Sequence, residues 1–139
     1  MRNSILLVSA LTLLGSCKKE DDSSPIQSTR WMLVQVEGTP IAVSSYSPTY
    51  RSYIQFNADS KTAGLAPCNS FGGTYTLGSS NQLSVSAQAS TRATCAAQNL
   101  EDRYLNALPR TVRYELSGQE LRLFDAGTAT PILVFRAAE

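Results

Sequence analysis

Short runs with apolar residues at alternate positions recur along the chain, and Gly, Pro, Asn and Ser separate them. That period of two is the mark of strands with one buried face. Ser28–Val36 (STRWMLVQV) is the first expected strand, with apolar residues on both faces, and Glu37–Pro40 is a turn. Ile41–Arg51 is rich in Ser, Tyr and Pro and reads as a surface loop. Ser52–Asn57 sets Ile54 and Phe56 on one face. Ala58–Lys61 turns the chain into a return strand over Thr62–Ala66. Gly73–Leu77 and Gln82–Ser86 form a further pair of strands, with Leu83 and Val85 pointing one way. Thr111–Ser117 alternates Val112, Tyr114 and Leu116 inward; Glu120–Asp125 returns with Leu121 and Leu123, and Ile132–Arg136 closes the domain.

One segment breaks the period. Between Ala96 and Leu108, Leu100, Tyr104 and Leu108 recur at i, i+4 and i+8, the apolar stripe of a helix. Its cap is Thr94 or Asn99. Glu101 and Asp102 suit a first turn, where the helix dipole favours acids, and Pro109 is expected to stop it. The fold class is therefore mostly β: a small antiparallel barrel-like meander of seven or eight strands with one inserted helix. A sandwich is the alternative.

The N-terminus follows a different pattern. Arg2 precedes a short apolar run, Ile5–Leu14, suited to a signal-peptide core and too short to span a bilayer comfortably. Leu14-Gly15-Ser16-Cys17 resembles the lipobox of bacterial lipoproteins, which implies cleavage before Cys17 and acylation of that cysteine; an ordinary cleaved secretory signal is the alternative. The expected organisation is a signal peptide over 1–16, a lipid-anchored flexible tether over 17–27 and one domain over 28–139. Lys18–Asp22 (KKEDD) also resembles the surface-export signals of some Bacteroidota lipoproteins. The expected location is the bacterial outer membrane, on its periplasmic face or at the cell surface, with the membrane as partner through the lipid.

Composition narrows the chemistry. The 139 residues suffice for one domain, and 42% hydrophobic with 17% charged residues suits an ordered core. The net charge is +1 and no five like charges cluster, so a nucleic-acid partner is not expected. The chain has no histidine, which removes Ser-His-Asp and Cys-His catalysis and the commonest metal ligand.

With Cys17 assigned to lipid, Cys68 and Cys95 are an even pair in an exported protein. They form a disulfide or stay as two buried thiols, and without histidine they make a poor zinc site. Neither a metal nor a cofactor is expected. Asn69 lies between Cys68 and the Gly72-Gly73 pair, placed to satisfy backbone groups at a sharp bend, or else to contact a ligand. No helix pattern follows the glycines, so they are not a phosphate loop. Trp31 reads as core. Glu101 and Asp102, being adjacent, project apart on a helix and read as solvated rather than as a catalytic pair. Glu115 and Glu120 read as an exposed rim.

Taken in order, these landmarks resemble the META domain family of HslJ-like bacterial lipoproteins. Trp31-x-Leu33 with Val36 and Gly38 is similar to its opening strand. Cys68-Asn69 with Phe71, Gly73 and Tyr75 is similar to its Cys-Asn-x-Phe-x-Gly-x-Tyr motif, and Thr91–Cys95 to its threonine-to-cysteine segment. Glu101, Tyr104, Leu105 and Leu108 match its helix; Tyr114, Leu116, Gly118, Leu121 and Leu123 match its last hairpin. Pro67 and Ala93-Thr94 depart from the pattern. The resemblance implies a mostly-β barrel with one helix in secreted or lipid-anchored proteins linked to heat response and novobiocin resistance. It supplies no catalytic residues.

The expected function is that of a non-enzymatic envelope lipoprotein acting through protein contacts in stress or envelope maintenance. The alternative is a carrier of a small apolar ligand in the barrel. It needs a cavity, whereas Ile54, Phe56, Leu83, Val112, Tyr114, Leu116, Leu121 and Leu123 look large enough to fill the interior.

Overall fold

The computed structural model describes residues 25–41 and 52–139. The signal peptide, Cys17, the KKEDD segment and most of the Ile41–Arg51 loop lie outside the described residues.

Among the described residues, ten strands and one α-helix follow one another as β1 (Arg30–Val36), β2 (Thr39–Pro40), β3 (Tyr53–Phe56), β4 (Lys61–Leu65), β5 (Ser70–Leu77), β6 (Leu83–Val85), β7 (Ala89–Ser90), α1 (Gln98–Ala107), β8 (Arg113–Ser117), β9 (Glu120–Phe124) and β10 (Leu133–Ala137). Eight of the strands make one antiparallel path, β6-β5-β4-β3-β1-β10-β9-β8, with β2 added on β1 and β7 on β5. The ends of this path nearly meet. Gln82 bridges Arg113, and the Leu83 and Tyr114 amides donate to the carbonyls of Val112 and Asn81. The expected barrel is therefore present, with its two edge strands almost closed on one another.

Alternation puts Trp31, Leu33, Ile54, Phe56, Phe71, Tyr75, Leu83, Val85, Leu121, Leu123, Leu133 and Phe135 inside. Tyr104 and Leu108 of the helical stripe join the same cluster with no exposed surface. Tyr104 lies edge-on to Phe71 at 5.6 Å between ring centroids and tilted against Phe135 at 6.1 Å. The buried Trp31 indole donates to the Ile26 carbonyl at 3.0 Å, and Gln27 bridges Phe56. These two contacts pack Ile26 and Gln27, placed in the tether by sequence, onto the barrel.

Several local expectations are corrected. Val112 is exposed, because it belongs to the loop entering β8 and not to the strand. The helix has no side-chain cap; Ala97 occupies that position, so neither Thr94 nor Asn99 starts it. Pro109 does not force Leu108 out of helical geometry. Leu108 stays right-handed (φ −55°, ψ −51°), and the chain tightens into a 3-10 turn over Leu108–Arg110, whose first turn needs no amide hydrogen from Pro109.

Gly72 and Gly73 lie within β5 and do not form a bend. Their small size admits crossing neighbours: a Cβ on Gly73 would press on the Gln88 amide and the Ser86 hydroxyl. Gly64 of β4 pairs with Phe71, and the Phe71 ring lies where its Cβ would be.

Candidate functional site

β5 begins immediately after Cys68 and Asn69, and the first turn of α1 lies against this junction. The two are joined through Glu101, which is 2% exposed. One Glu101 oxygen, Oε2, accepts the backbone N–H groups of Cys68 at 2.7 Å and Asn69 at 2.9 Å. The other, Oε1, accepts the Asn69 side-chain amide at 2.5 Å. Asn69 is itself buried and spends its remaining capacity on the segment after β7. Its Nδ2 donates to the Ala93 carbonyl at 2.9 Å, while its Oδ1 accepts from the Thr91 hydroxyl at 2.8 Å and the Ala93 amide at 2.7 Å.

Cys68 and Cys95 are joined by a disulfide, with Cα atoms 5.6 Å apart. The structure thus draws Cys68, Asn69, Thr91, Cys95 and Glu101 into one corner. Phe71 and Tyr75 leave it along β5 into the core, with Tyr75 edge-on to Phe56 at 5.0 Å. The Tyr75 hydroxyl, at the far side, donates to the Asn57 carbonyl and accepts from Gln27. Asn69 therefore satisfies backbone groups, as one of the two sequence readings expects, and it does so at a strand entrance.

Glu101 is the residue the sequence misread. It is buried, whereas its neighbour Asp102 is exposed and accepts from Gln98 at 3.0 Å. Helical spacing held the signal: Glu101 precedes Tyr104 by three and Leu108 by seven, which places it on the buried stripe. An acid on that stripe needs internal donors, and the Cys68-Asn69 pair supplies them.

A second polar cluster lies on the surface. The tight turn between β1 and β2 uses Glu37 (φ 46°) and Gly38 (φ 76°), a two-residue hairpin loop whose left-handed pair suits the sheet twist. This presents Glu37 to Arg103 Nε at 3.2 Å and to Arg110 Nη1 at 2.6 Å; Arg110 also reaches Asp125 at 2.7 Å. Hydrogen bonds from Arg110 first, then Arg103, hold the Glu37 carboxyl below its ordinary range. The Thr128 hydroxyl first, then Arg110, does the same for Asp125. Arg103 also donates to the Val36 carbonyl at 3.1 Å, so the cluster clamps α1 and the 3-10 turn to the ends of β1 and β9. On the rim, Glu115 pairs with Arg113 and Glu120 with Arg122.

On the outer face, strand register aligns Leu65, Tyr53, Met32 and Arg136 across β4, β3, β1 and β10. Leu65 is exposed, Tyr53 and Met32 are half-buried, and the Arg30 guanidinium lies 4.3 Å from the Tyr53 ring centroid. Beside this row a groove of about 620 Å³ is lined by Met32, Val34, Ile41, Val134, Arg136 and Glu120, among others. Among the described residues no group of three or more Cys, Asp or Glu side chains is arranged to hold a metal ion.

A nearly closed barrel with one docked helix, pinned at a Cys-Asn corner, defines the class of protein. The META domain family model matches residues 24–139, and the chain belongs to that family. Among solved structures, it is similar to a crystal structure of a DUF4847 family protein from Bacteroides vulgatus. That likeness has a TM-score of 0.57 at 15% identity, covers 81% of this chain and 93% of the other, and is one of fold. No curated protein matches the chain.

Proposed function

We propose that this META-domain protein is a non-enzymatic, lipid-anchored envelope protein that works by contacting another envelope protein, in stress or envelope maintenance. The observation that carries the reading is the disposition of reactive groups. The Glu101 carboxylate is taken up by three internal N–H donors and the Cys68 and Cys95 sulfurs by each other, whereas the outer face carries an apolar row beside a groove. Internal saturation suits a scaffold; a half-buried apolar row flanked by arginine suits a contact face.

The address rests on the lipobox-like Leu14–Cys17 and the charged tether, which support attachment of Cys17 to the outer membrane. The apolar-carrier reading gains no support, because Trp31, Phe56, Tyr104 and Phe135 lie fully buried in a continuous interior cluster.

The experiment has two arms. Metabolic labelling with an alkyne fatty acid should mark the parent and not Cys17→Ala, which should also leave the membrane fraction. A photo-crosslinking amino acid placed at Leu65 or Tyr53 in intact cells should trap one reproducible envelope protein, and a crosslinker at the exposed Asn106 should not. Equal and diffuse crosslinking at all three positions would overturn the contact reading.

A further inference from the structure

The chain between β6 and α1 crosses the edge of β5 as a narrow strap. From Ala89 to Ala96 every residue is exposed, so no apolar side chain anchors it. Its attachments are polar or covalent. Gln88 accepts from the Thr62 hydroxyl at 2.6 Å; Ala89 and Ser90 pair with Gly72 and Phe71; the Thr91 amide donates to the Ser70 carbonyl. Asn69 then holds Thr91 and Ala93, and the disulfide holds Cys95. A segment held by few bonds and no buried apolar side chain opens at the low end of a protein's stability range.

The bonds at the corner divide into two sets. Glu101 takes all three of its donors from Cys68 and Asn69, so α1 is tied to β5 without help from the strap. Asn69 Oδ1, the Asn69 Nδ2 hydrogen donated to the Ala93 carbonyl, and the disulfide tie only the strap. If the strap leaves, Asn69 Oδ1 meets water and the Glu101 bonds persist.

We infer that Gln88–Ala96 is a redox-released strap: reduction of Cys68–Cys95 opens it locally and uncovers the backbone edge of Ser70–Gly72, while the barrel and α1 stay folded. Cys95 is exposed and Cys68 half-buried, which directs attack to Cys95. A thiolate of a dithiol reductant bonds to the Cys95 sulfur, and Cys68 leaves as a thiolate and takes up a proton. The second reductant thiolate then displaces Cys95, which is protonated in turn. The protein gains two electrons and two protons, and the reductant ends as a disulfide.

Hydrogen exchange read by mass spectrometry on the full-length protein, with and without dithiothreitol, tests this. At exchange times too short for global unfolding to contribute, peptides covering 69–73 and 88–96 should exchange on the order of tenfold faster after reduction, and those covering β1, β3, β9 and β10 should stay protected. Cys95→Ser without reductant should reproduce the reduced pattern. Unchanged protection of the strap after confirmed reduction overturns the inference. So does an equal loss of protection throughout the barrel over the same short exchange times, which would mean that the strap does not open apart from the rest.

Discussion

The Glu101 carboxylate and the Asn69 side chain meet at 2.5 Å, both buried, across 32 residues of sequence. The pair joins a helix to a strand entrance through groups that water does not reach. Replacing Glu101 by Gln keeps the shape and turns one acceptor into a donor. Whichever oxygen becomes the amide nitrogen then faces N–H groups of Cys68 or Asn69. Hydrogen bonds to a charged acceptor contribute about 1.5–3 kcal/mol each, and a buried donor left unsatisfied costs a similar amount. Glu101→Gln should therefore lose about 3 kcal/mol in urea denaturation, whereas Asp102→Asn, at the exposed neighbour, should lose under about 0.5 kcal/mol. Equal effects at the two positions would contradict the corner.

Much of the barrel was legible in the sequence because its signal is local. Ile54 and Phe56, or Leu121 and Leu123, announce a buried face within five residues, and all four have no exposed surface. The cysteine pair was legible by elimination, although the sequence left two unpaired thiols open. The Glu101 contact was not legible, because two adjacent acids in a first helical turn look solvated and their donors lie more than 30 residues away. The strand entrance was misplaced for a related reason. The stretch from Asn69 to the Gly72-Gly73 pair reads locally as a sharp bend with a strand starting at Gly73, and only the neighbouring Ser86 and Gln88 side chains show why glycine is used at position 73.

The disulfide closes a span of 27 residues. In the chain-entropy account a loop of that size contributes about 3.5 kcal/mol by restricting the unfolded chain. Cys68→Ser should lower stability by about that much under oxidising conditions. In excess reductant, parent and variant should unfold at nearly the same urea concentration. A gap that survives reduction would assign the cost to packing at Cys68 instead.

Gly64 makes a sharper demand on space. Any Cβ there meets the Phe71 ring and the Tyr53 carbonyl oxygen. Gly64→Ala should cost about 1–3 kcal/mol from overpacking, despite the usual preference of strands for alanine over glycine. Phe71→Leu should relieve part of this loss, so the double variant should be more stable than the sum of the two single changes implies. Simple additivity in the double-mutant cycle would separate Gly64 from Phe71.

The surface clamp predicts the response to acid. Glu37 and Asp125 both titrate below their ordinary range in the folded state. A carboxyl depressed by folding adds stability that is complete above its unfolded pKa and is lost as pH falls through the folded value. The loss should therefore begin near pH 4 and deepen below it. Arg110 faces both acids, so Arg110→Ala should weaken this acid dependence and leave the profile between pH 6 and 8 nearly flat. Urea midpoints measured from pH 2 to 8 read this out, and an unchanged acid limb would place the dependence elsewhere.

Tyr104 governs the opposite end of the pH scale. Its ring fills the centre of the core, but its hydroxyl is buried with no hydrogen-bond partner among the described residues, and burial raises its pKa well above the ordinary value. Because the folded state resists ionisation, stability is intact below about pH 10 and falls as pH rises above it, where the unfolded phenol ionises first. Removing the hydroxyl removes both the unsatisfied group and this dependence. Tyr104→Phe should be neutral or stabilising by up to about 1 kcal/mol at pH 7, and its stability should fall less steeply above pH 10. Tyr104→Ala should cost about 3–5 kcal/mol, because the ring is lost with the hydroxyl. Absorbance of phenolate followed through an alkaline titration should show one tyrosine of the parent ionising only with unfolding, and that step should be missing in Tyr104→Phe. If Tyr104→Phe were instead destabilised by more than about 1 kcal/mol, the hydroxyl would have a partner in solution, and the core at this position would be polar by design.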